Sequence, residues 1–203
     1  MSIERLFPTL LYQATLTGKS FRRRQLLAEV DDIAGLDVAG VHWSKKNYRN
    51  GFTSYASANN LHRVSPTFGA LEKIIDRHVR KFSAALEFDL QGGRLAMTNC
   101  WINIMPVNVH HGLHLHPLSV ISGTFYVSTP KGASAIKFED PRLPGFMGAP
   151  PKRAGASKTN RTFVEFAPKS GSLLLFESWL RHEVPMNASH EPRISISFNY
   201  GWE

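Results

Sequence analysis

The most informative part of the chain runs from Trp101 to Val127 and reads WINIMPVNVHHGLHLHPLSVISGTFYV. Residues two apart on a β-strand point to the same face, so a strand here would direct His114 and His116 to one side and Leu115 to the other. The part from residue 118 to 127 is rich in β-branched and aromatic residues, which predicts a second strand. Because two imidazoles on one face can bind a single metal ion, we expect a metal site at the mouth of a β-barrel. The alternative is that these histidines only cap a strand and form local hydrogen bonds.

The length and composition of the chain predict one domain with a sizeable core. It has 203 residues, and it contains no run of about 18 apolar residues that would indicate a transmembrane helix. Its N-terminus lacks the charged and then apolar pattern of a signal peptide. Cys100 is the only cysteine, so an internal disulfide is impossible, as expected for a reducing compartment. We therefore expect a cytoplasmic protein without a membrane segment.

The charge of the chain favours anionic partners. Its formal net charge is +8, which would attract acidic metabolites, nucleic acid or an acidic protein. The basic residues are scattered, apart from the three arginines at 22–24 and a loop near Lys152 and Arg153. No zinc-finger or RNA-binding aromatic motif accompanies them. Nucleic acid is therefore not the favoured partner.

The first 87 residues predict an opening strand and two helices, with strands and loops between the helices. Residues 6–16 predict an opening strand, which their proline restricts to an edge or an early position. Residues 21–34 predict a short helix, and the polar and aromatic residues 41–64 predict strands and loops that could line a substrate groove. A serine followed by a proline begins the clearest helix, residues 65–87, whose apolar stripe must lie on a sheet. The stripe consists of Phe68, Leu71, Ile75, Val79, Phe82 and Leu86.

From Arg94 onward the chain predicts strands and loops. The last strand alternates a polar face, with Arg193, Ser195 and Ser197, with an apolar face, which is typical of a strand beside a cavity. Residues 140–161 form a long segment rich in proline and glycine. Such loops are usually functional lids or disordered, and we predict a mobile lid over the site. The predicted strands are 95–105, 118–127, 135–139, 162–166, 172–176 and 193–199.

Four pieces of the sequence, in order, resemble the iron(II)- and 2-oxoglutarate-dependent oxygenases, and a small bacterial branch of them in particular. The first is W-x-N-x-x-P followed by H-x-H-P-x-S-x-x-S-G-x-x-Y-V, between Trp101 and Val127. The second is F-x-D-P-R, at residues 138–142. The third is G-x-L-x-x-F-x-S-W-x-x-H at residues 171–182, and the fourth is R-I-S-x-S-F-N at residues 193–199. The resemblance covers residues 95–200.

The resemblance implies a mainly β fold with flanking helices, namely a double-stranded β-helix, the jelly-roll or cupin-like barrel of two antiparallel sheets. It implies a single oxygenase domain over residues 1–203, with an N-terminal strand and supporting helices in 1–93 and the barrel in 94–203. The family binds iron through two histidines and a carboxylate. His114 and His182 match the two histidines. His116 stands at the carboxylate position, a departure from the wider family that makes the site more positive and also suited to zinc.

The same resemblance implies a co-substrate site. Arg193, together with Ser195, matches the family's R-x-S pair and would bind the distal carboxylate of 2-oxoglutarate. Asn103 and Tyr126 would lie beside this co-substrate. The implied reaction uses iron(II) and dioxygen, converts 2-oxoglutarate to succinate and CO2, and hydroxylates a second, prime substrate. The catalytic residues implied in this way are His114, His116, His182 and Arg193.

Two other functions stay open on the sequence. A cupin-like metalloenzyme with three histidines would share the barrel but would not use 2-oxoglutarate. A non-catalytic jelly roll that binds an acidic ligand would instead use the basic loop 140–161. Asp140 is a poor substitute for the missing carboxylate, because it begins a loop beyond the next strand. The prime substrate cannot be read from the sequence, and exposed edge strands leave a homodimer open.

Overall fold

A computed structural model describes residues 2–16, 23–143 and 146–203 of the chain. Within these ranges the helices are α1 (Arg23–Leu36), α2 (Val38–Asn47), α3 (Leu61–Val64) and α4 (Pro66–Ala85). None of these helices is both long enough and apolar enough to pass through a membrane. The strands are β1 (Leu11–Thr15), β2 (Phe52–Thr53), β3 (Leu95–Met105), β4 (His111–His114), β5 (Ile121–Ser128), β6 (Ile136–Glu139), β7 (Phe163–Phe166), β8 (Ser172–Glu177), β9 (His182–Val184) and β10 (Arg193–Trp202).

The strands form two antiparallel sheets. The larger has six strands in the order β1-β8-β5-β10-β3-β2, and the smaller has four in the order β4-β9-β6-β7. Apolar side chains from both sheets share one core, which includes Met105, Tyr126, Phe138, Phe176 and Val184. The sheets therefore face each other as the two walls of a barrel. This arrangement confirms the predicted fold, a double-stranded β-helix with flanking helices.

Helix α4 covers the outer face of the larger sheet. The side chain of Ser65 accepts hydrogen bonds from the backbone N–H groups of Thr67 and Phe68, both at 3.2 Å, and Pro66 occupies the first turn. This N-cap supplies acceptors that the first turn of any helix lacks. The predicted apolar stripe is buried against the sheet, which confirms the helix. The stripe packs with Ile102, Phe125, Leu173, Ile196 and Phe198.

Strand β10 separates this outer core from the barrel interior. Ile194, Ile196 and Phe198 belong to the core under α4, whereas Arg193 and Ser195 are buried on the opposite face and line the interior cavity. The alternation predicted for this strand is therefore confirmed. Strand β10 also continues to Trp202, beyond the predicted end at residue 199.

The prediction of strands and loops over residues 41–64 is wrong for the helical parts of that segment, which are nearly half of it. Helix α2 and the single turn α3 occupy much of it, and only the two residues of β2 are strand. Asp37 caps α2 by accepting a hydrogen bond from the backbone N–H of Gly40 at 2.8 Å. The buried residues of α2 are Gly40 and Ser44. A helix that packs through such small side chains has no hydrophobic periodicity for a sequence pattern to detect.

Other element boundaries shift by a few residues. The opening strand is Leu11–Thr15 rather than 6–16, and it lies at the predicted sheet edge. The second strand of the histidine-rich stretch begins at Ile121, because Leu118 lies in a turn with a φ of 61°. The predicted helix 21–34 corresponds to α1, and its first two residues lie outside the described residues. Strand β9 was not predicted.

Candidate metal centre and co-substrate cavity

Three histidines converge at one end of the barrel interior. His114 ends β4 and pairs in register with His182, which begins β9. His116 follows two residues later, beyond the end of β4 rather than on the predicted strand. The ring centroids of His114 and His182 are 4.3 Å apart, and that of His116 is 5.3 Å and 5.1 Å from them. One nitrogen from each residue lies within 4.8 Å of the other two, so the group can bind a single ion.

Backbone carbonyls orient two of the three imidazoles. Nδ1 of His114 lies 2.7 Å from the carbonyl oxygen of Gly112, and Nδ1 of His182 lies 2.9 Å from that of Leu180. A carbonyl only accepts hydrogen bonds, so each Nδ1 must carry the proton. The unprotonated Nε2 of each ring is then available to a metal, which is the arrangement that metal-binding histidines usually have.

Side chains orient the third imidazole. Nδ1 of His116 lies 2.7 Å from Oδ1 of Asn199 and 2.8 Å from the hydroxyl of Ser122. The Ser122 hydroxyl also donates to Oδ1 of Asn199 at 2.8 Å and lies 2.7 Å from the hydroxyl of Ser178. All three partners are buried. His116 is thus held by a closed polar network with no charged member.

The electrostatics of His116 and His182 favour neutral imidazoles. Burial lowers the pKa of His182 to about 3 and that of His116 to about 4, and the nearby His114 adds to both shifts. Neutral imidazole is a good ligand for iron, zinc and copper. Among the residues that the structure describes, no carboxylate joins the group. Asp140 is instead engaged by Arg142, whose guanidinium donates to both carboxylate oxygens at 2.8 Å, as its position in the sequence suggests.

A buried arginine lies in the same cavity. Arg193 is 2% exposed, and within the described ranges no carboxylate forms an ion pair with it. Its closest polar contact is a long hydrogen bond of 3.4 Å to the Ser195 hydroxyl, and its guanidinium lies 4.8 Å from the ring centre of Tyr126. Its Nε and the Tyr126 hydroxyl are buried without hydrogen-bond partners. Because an isolated buried charge is costly, this end of the cavity fits an anionic ligand.

Asn103 lies between these two groups on the larger sheet. It lines the cavity, but both ends of its side-chain amide bind protein groups. The Thr53 hydroxyl donates to its Oδ1 at 2.8 Å, and its Nδ2 donates to the Ser197 hydroxyl at 3.0 Å. Asn103 therefore braces the cavity wall, and it can contact a ligand only in addition to these bonds.

Sequence reasoning missed a pair formed by the buried Tyr48 and the half-buried His111. The Tyr48 hydroxyl and Nε2 of His111 are hydrogen bonded at 2.7 Å, and the two rings stack with centroids 4.5 Å apart. Burial, aided by Arg193, lowers the pKa of His111 to about 3. The sequence contains both residues in notable stretches, but nothing local pairs them. The contact joins the end of α2 to the start of β4 across 63 positions.

One cavity of about 630 Å³ contains all the predicted metal ligands as well as Arg193, Ser195 and Asn103. Tyr126 lies behind its wall, fully buried against the guanidinium. None of the described residues of the loop 140–161 lines this cavity, so the structure gives no support to the predicted lid. The loop instead forms hydrogen bonds within itself, since Arg142 donates to the carbonyl oxygen of Thr159 at 3.0 Å. Residues 43–55 form the outer wall in its place.

A family model described as "Putative 2OG-Fe(II) oxygenase" matches residues 99–199. This range includes the three converging histidines and Arg193. No curated protein matches the chain in sequence.

Among the solved structures that match, two with TM-scores above 0.6 share the fold. The epimerase SnoN from nogalamycin biosynthesis, a non-heme alpha ketoglutarate dependent enzyme, has 15% identity and a TM-score of 0.65, over 95% of this chain and 76% of its own. A prolyl-4-hydroxylase from Pseudomonas putida has 13% identity and a TM-score of 0.62, over 95% and 92%. An oxidoreductase of the 2OG-Fe(II) oxygenase family from Burkholderia pseudomallei has 18% identity and a TM-score of 0.49, and the match spans 66% of this chain and 57% of that one. SnoN has also been solved with Fe3+, alpha ketoglutarate and nogalamycin RO.

Proposed function

The chain belongs to the 2OG-Fe(II) oxygenase family, and on that premise we propose that it is an iron(II)- and 2-oxoglutarate-dependent dioxygenase. The proposed reaction consumes dioxygen, hydroxylates a prime substrate and releases succinate and CO2. His114, His116 and His182 are the proposed iron ligands. Arg193 is the proposed binding residue for the distal carboxylate of 2-oxoglutarate.

One observation carries this proposal: a group of three histidine nitrogens shares one cavity with a buried cation that has no ion-pair partner among the described residues. 2-Oxoglutarate has a keto-acid end that can chelate a metal and a second carboxylate that needs a cation. Arginine is the side chain best suited to a carboxylate, because its planar guanidinium can donate two parallel hydrogen bonds. The charge that is costly without a ligand would then contribute to binding.

Side chains around Arg193 would orient the co-substrate and exclude water. The Ser195 hydroxyl adjoins the guanidinium and can donate to the same carboxylate, while the Tyr126 ring packs against the guanidinium from behind the cavity wall. The braced Asn103 keeps the wall between the two ends of the cavity rigid. Apolar residues of the smaller sheet and of β8 line the metal end and limit its hydration; they are Ile136, Phe176 and Val184. Bound iron(II) would supply the binding and activation of dioxygen, which no side chain provides.

An anaerobic titration tests the proposal. Iron(II)-loaded protein is mixed with 2-oxoglutarate, and the weak visible metal-to-ligand charge-transfer band is recorded. We expect the band in the wild-type protein, and we expect its loss in both Arg193→Ala and His182→Ala. Failure of the protein to bind any metal would refute the proposed histidine site.

Iron binding without a charge-transfer band would favour a different enzyme class. Three neutral histidines also suit zinc and the cupin-like metalloenzymes that use no 2-oxoglutarate. In that case Arg193 would bind another anion, and added 2-oxoglutarate would not protect the protein against unfolding. A thermal unfolding series with increasing 2-oxoglutarate therefore complements the titration.

A further inference from the structure

The cavity is larger than the co-substrate requires. Its volume of about 630 Å³ lies in the range that encloses a drug-sized ligand, whereas 2-oxoglutarate has only ten non-hydrogen atoms. Under the proposed function, the three histidines and Arg193 would hold that co-substrate in the inner part. The outer part, bordered by residues 43–55 and by the side of β3 that faces the cavity, is then free for the prime substrate.

The charge of the outer part is positive. Among the described residues that line the cavity there is no aspartate, glutamate or lysine, and Arg49 is its second arginine. Arg49 is exposed, and the described carboxylates form no ion pair with it. With Arg193 committed to the co-substrate, Arg49 is the cation available to a second ligand. A cationic ligand would find no counter-charge here.

The turn that carries Arg49 is held firmly. Tyr48 on one side is buried and hydrogen bonded to His111. Gly51 on the other side donates its backbone N–H to the Tyr48 carbonyl at 3.0 Å, and a Cβ at this glycine would lie 2.5 Å from the Tyr48 ring. Asn50 adopts a positive φ of 64° between them, as tight turns require. Arg49 is therefore presented at a defined position at the rim.

An aromatic wall connects this rim with the metal end. Tyr55 and Trp101 meet edge to face with centroids 5.1 Å apart, and the Trp101 ring lies 5.9 Å from that of His116. Trp101 is 6% exposed and Tyr55 is 50% exposed, so the wall runs from the buried centre towards solvent. Aromatic faces of this kind bind flat, apolar ligand groups.

From these observations we infer that the prime substrate is a small anionic molecule with an aromatic or other flat ring. Its carboxylate or other anionic group binds Arg49, and its ring packs on Tyr55 and Trp101, close to the histidine group. The inference rests on the proposed function, because it assigns Arg193 to 2-oxoglutarate. It adds a second anion site that the co-substrate does not occupy.

Three probes of similar shape and different charge test this inference. They are phenylacetate, which is anionic, phenylacetamide, which is neutral, and phenethylamine, which is cationic. Each is titrated by anaerobic calorimetry into protein that holds iron(II) and 2-oxoglutarate and already shows the charge-transfer band. A missing band refutes the proposed function before any probe is added, so the two failures are distinguishable.

We expect phenylacetate to bind most tightly and phenethylamine least tightly. Arg49→Gln should weaken phenylacetate roughly fivefold or more and leave phenylacetamide nearly unchanged, because it removes only the charge contact. Tyr55→Leu should weaken both of these probes to a similar degree, because it removes the ring contact. Lys45→Gln, which removes a charge outside the cavity, is the matched control and should change none of the three.

Other outcomes would overturn the inference. Tighter binding of phenethylamine than of phenylacetate would contradict the positive character of the outer part. An unchanged phenylacetate affinity in Arg49→Gln would exclude Arg49 as the anion site. Absence of saturable phenylacetate binding up to about 10 mM, in protein that shows the band, would exclude a small aromatic anion as the prime substrate.

Discussion

The polar groups at the two ends of the cavity differ in whether they have hydrogen-bond partners. At the metal end, every histidine Nδ1 has an acceptor, from a backbone carbonyl for His114 and His182 and from Asn199 for His116. At the other end, the Arg193 Nε and the Tyr126 hydroxyl are buried without a partner. The Arg193 end is buried, whereas at the metal end His182 is buried, His116 is half-buried and His114 is exposed. Both ends lack a carboxylate among the described residues.

The difference indicates what each end is built to bind. Fully bonded Nδ1 atoms fix the ring orientation and leave neutral nitrogen lone pairs, which attract a cation. Unbonded donors around a guanidinium are costly in an empty cavity, and an anion would satisfy them. Under the proposed function, the histidine end is a preorganised site for a metal, and the Arg193 end is a site that a carboxylate would complete. Four predictions test this contrast, from the largest expected effect to the smallest.

The largest effect should come from His182→Ala, which removes one of the three ligands. We expect the dissociation constant for iron(II) to rise by more than about a hundredfold, because two imidazoles remain. Competition with a coloured chelator measures it. His190→Ala, at an exposed position, is the control. Equal affinities in the two variants would show that the three histidines do not form the metal site.

Arg193→Met should weaken the binding of 2-oxoglutarate without affecting the binding of metal. Loss of the guanidinium should weaken 2-oxoglutarate binding by roughly a hundredfold, as expected for a buried charge-assisted contact. Metal affinity should stay near that of the wild type. The melting temperature of the ligand-free protein should not fall, because the variant removes an uncompensated buried charge. A marked fall with unchanged 2-oxoglutarate binding would mean that Arg193 is structural.

Asn199→Leu should loosen the side-chain anchor of His116. Metal affinity should fall roughly tenfold to a hundredfold, which is typical when a second partner of a ligating histidine is lost. Asn199→Asp, which keeps an acceptor oxygen at the same place, should recover most of the loss. The cobalt(II) absorption spectrum reports the ligand geometry independently of activity. Identical spectra and affinities for both variants would exclude this positioning role.

The smallest effect should be a loss of stability in mild acid. Burial lowers the pKa values of His111 and His182 to about 3 and that of His116 to about 4, below the value of about 6.5 in an unfolded chain. The unfolded state therefore binds more protons below pH 6.5, so the free energy of unfolding should fall as the pH decreases from there, by at most about 1.4 kcal/mol per pH unit for each histidine. Urea unfolding of the metal-free protein at several pH values measures this. A flat profile between neutral pH and pH 5 would contradict it.

Much of the site was predictable because its residues are marked by local patterns. The spacing of His114 and His116, and the polar alternation that begins at Arg193, can be read without any tertiary information. Helix α4 was equally clear, since its cap and its apolar stripe lie within one segment. These features depend on neighbours a few positions apart.

The outer wall was expected to line a groove, but its secondary structure and contacts were not predictable, for the opposite reason. Helix α2 packs through Gly40 and Ser44, so its sequence lacks the apolar period that marks a helix. The bond between Tyr48 and His111 joins positions 63 residues apart. The lid prediction relied on the length and composition of residues 140–161, and these do not tell on which side of a barrel a loop lies.

The sequence by itself therefore determined the type of fold and the kinds of side chain in the candidate site. Side-chain alternation and capping act locally, and the kinds of ligand group are a matter of residue identity alone. Tertiary structure decided which groups meet: the register of β4 and β9 brings His182 to His114, and the Asn199 network turns His116 towards them. It also decided that Arg193 has no acidic neighbour among the described residues and that Arg49 stands at the rim. Strand pairing and packing join residues that are distant along the chain, and no local pattern encodes such contacts.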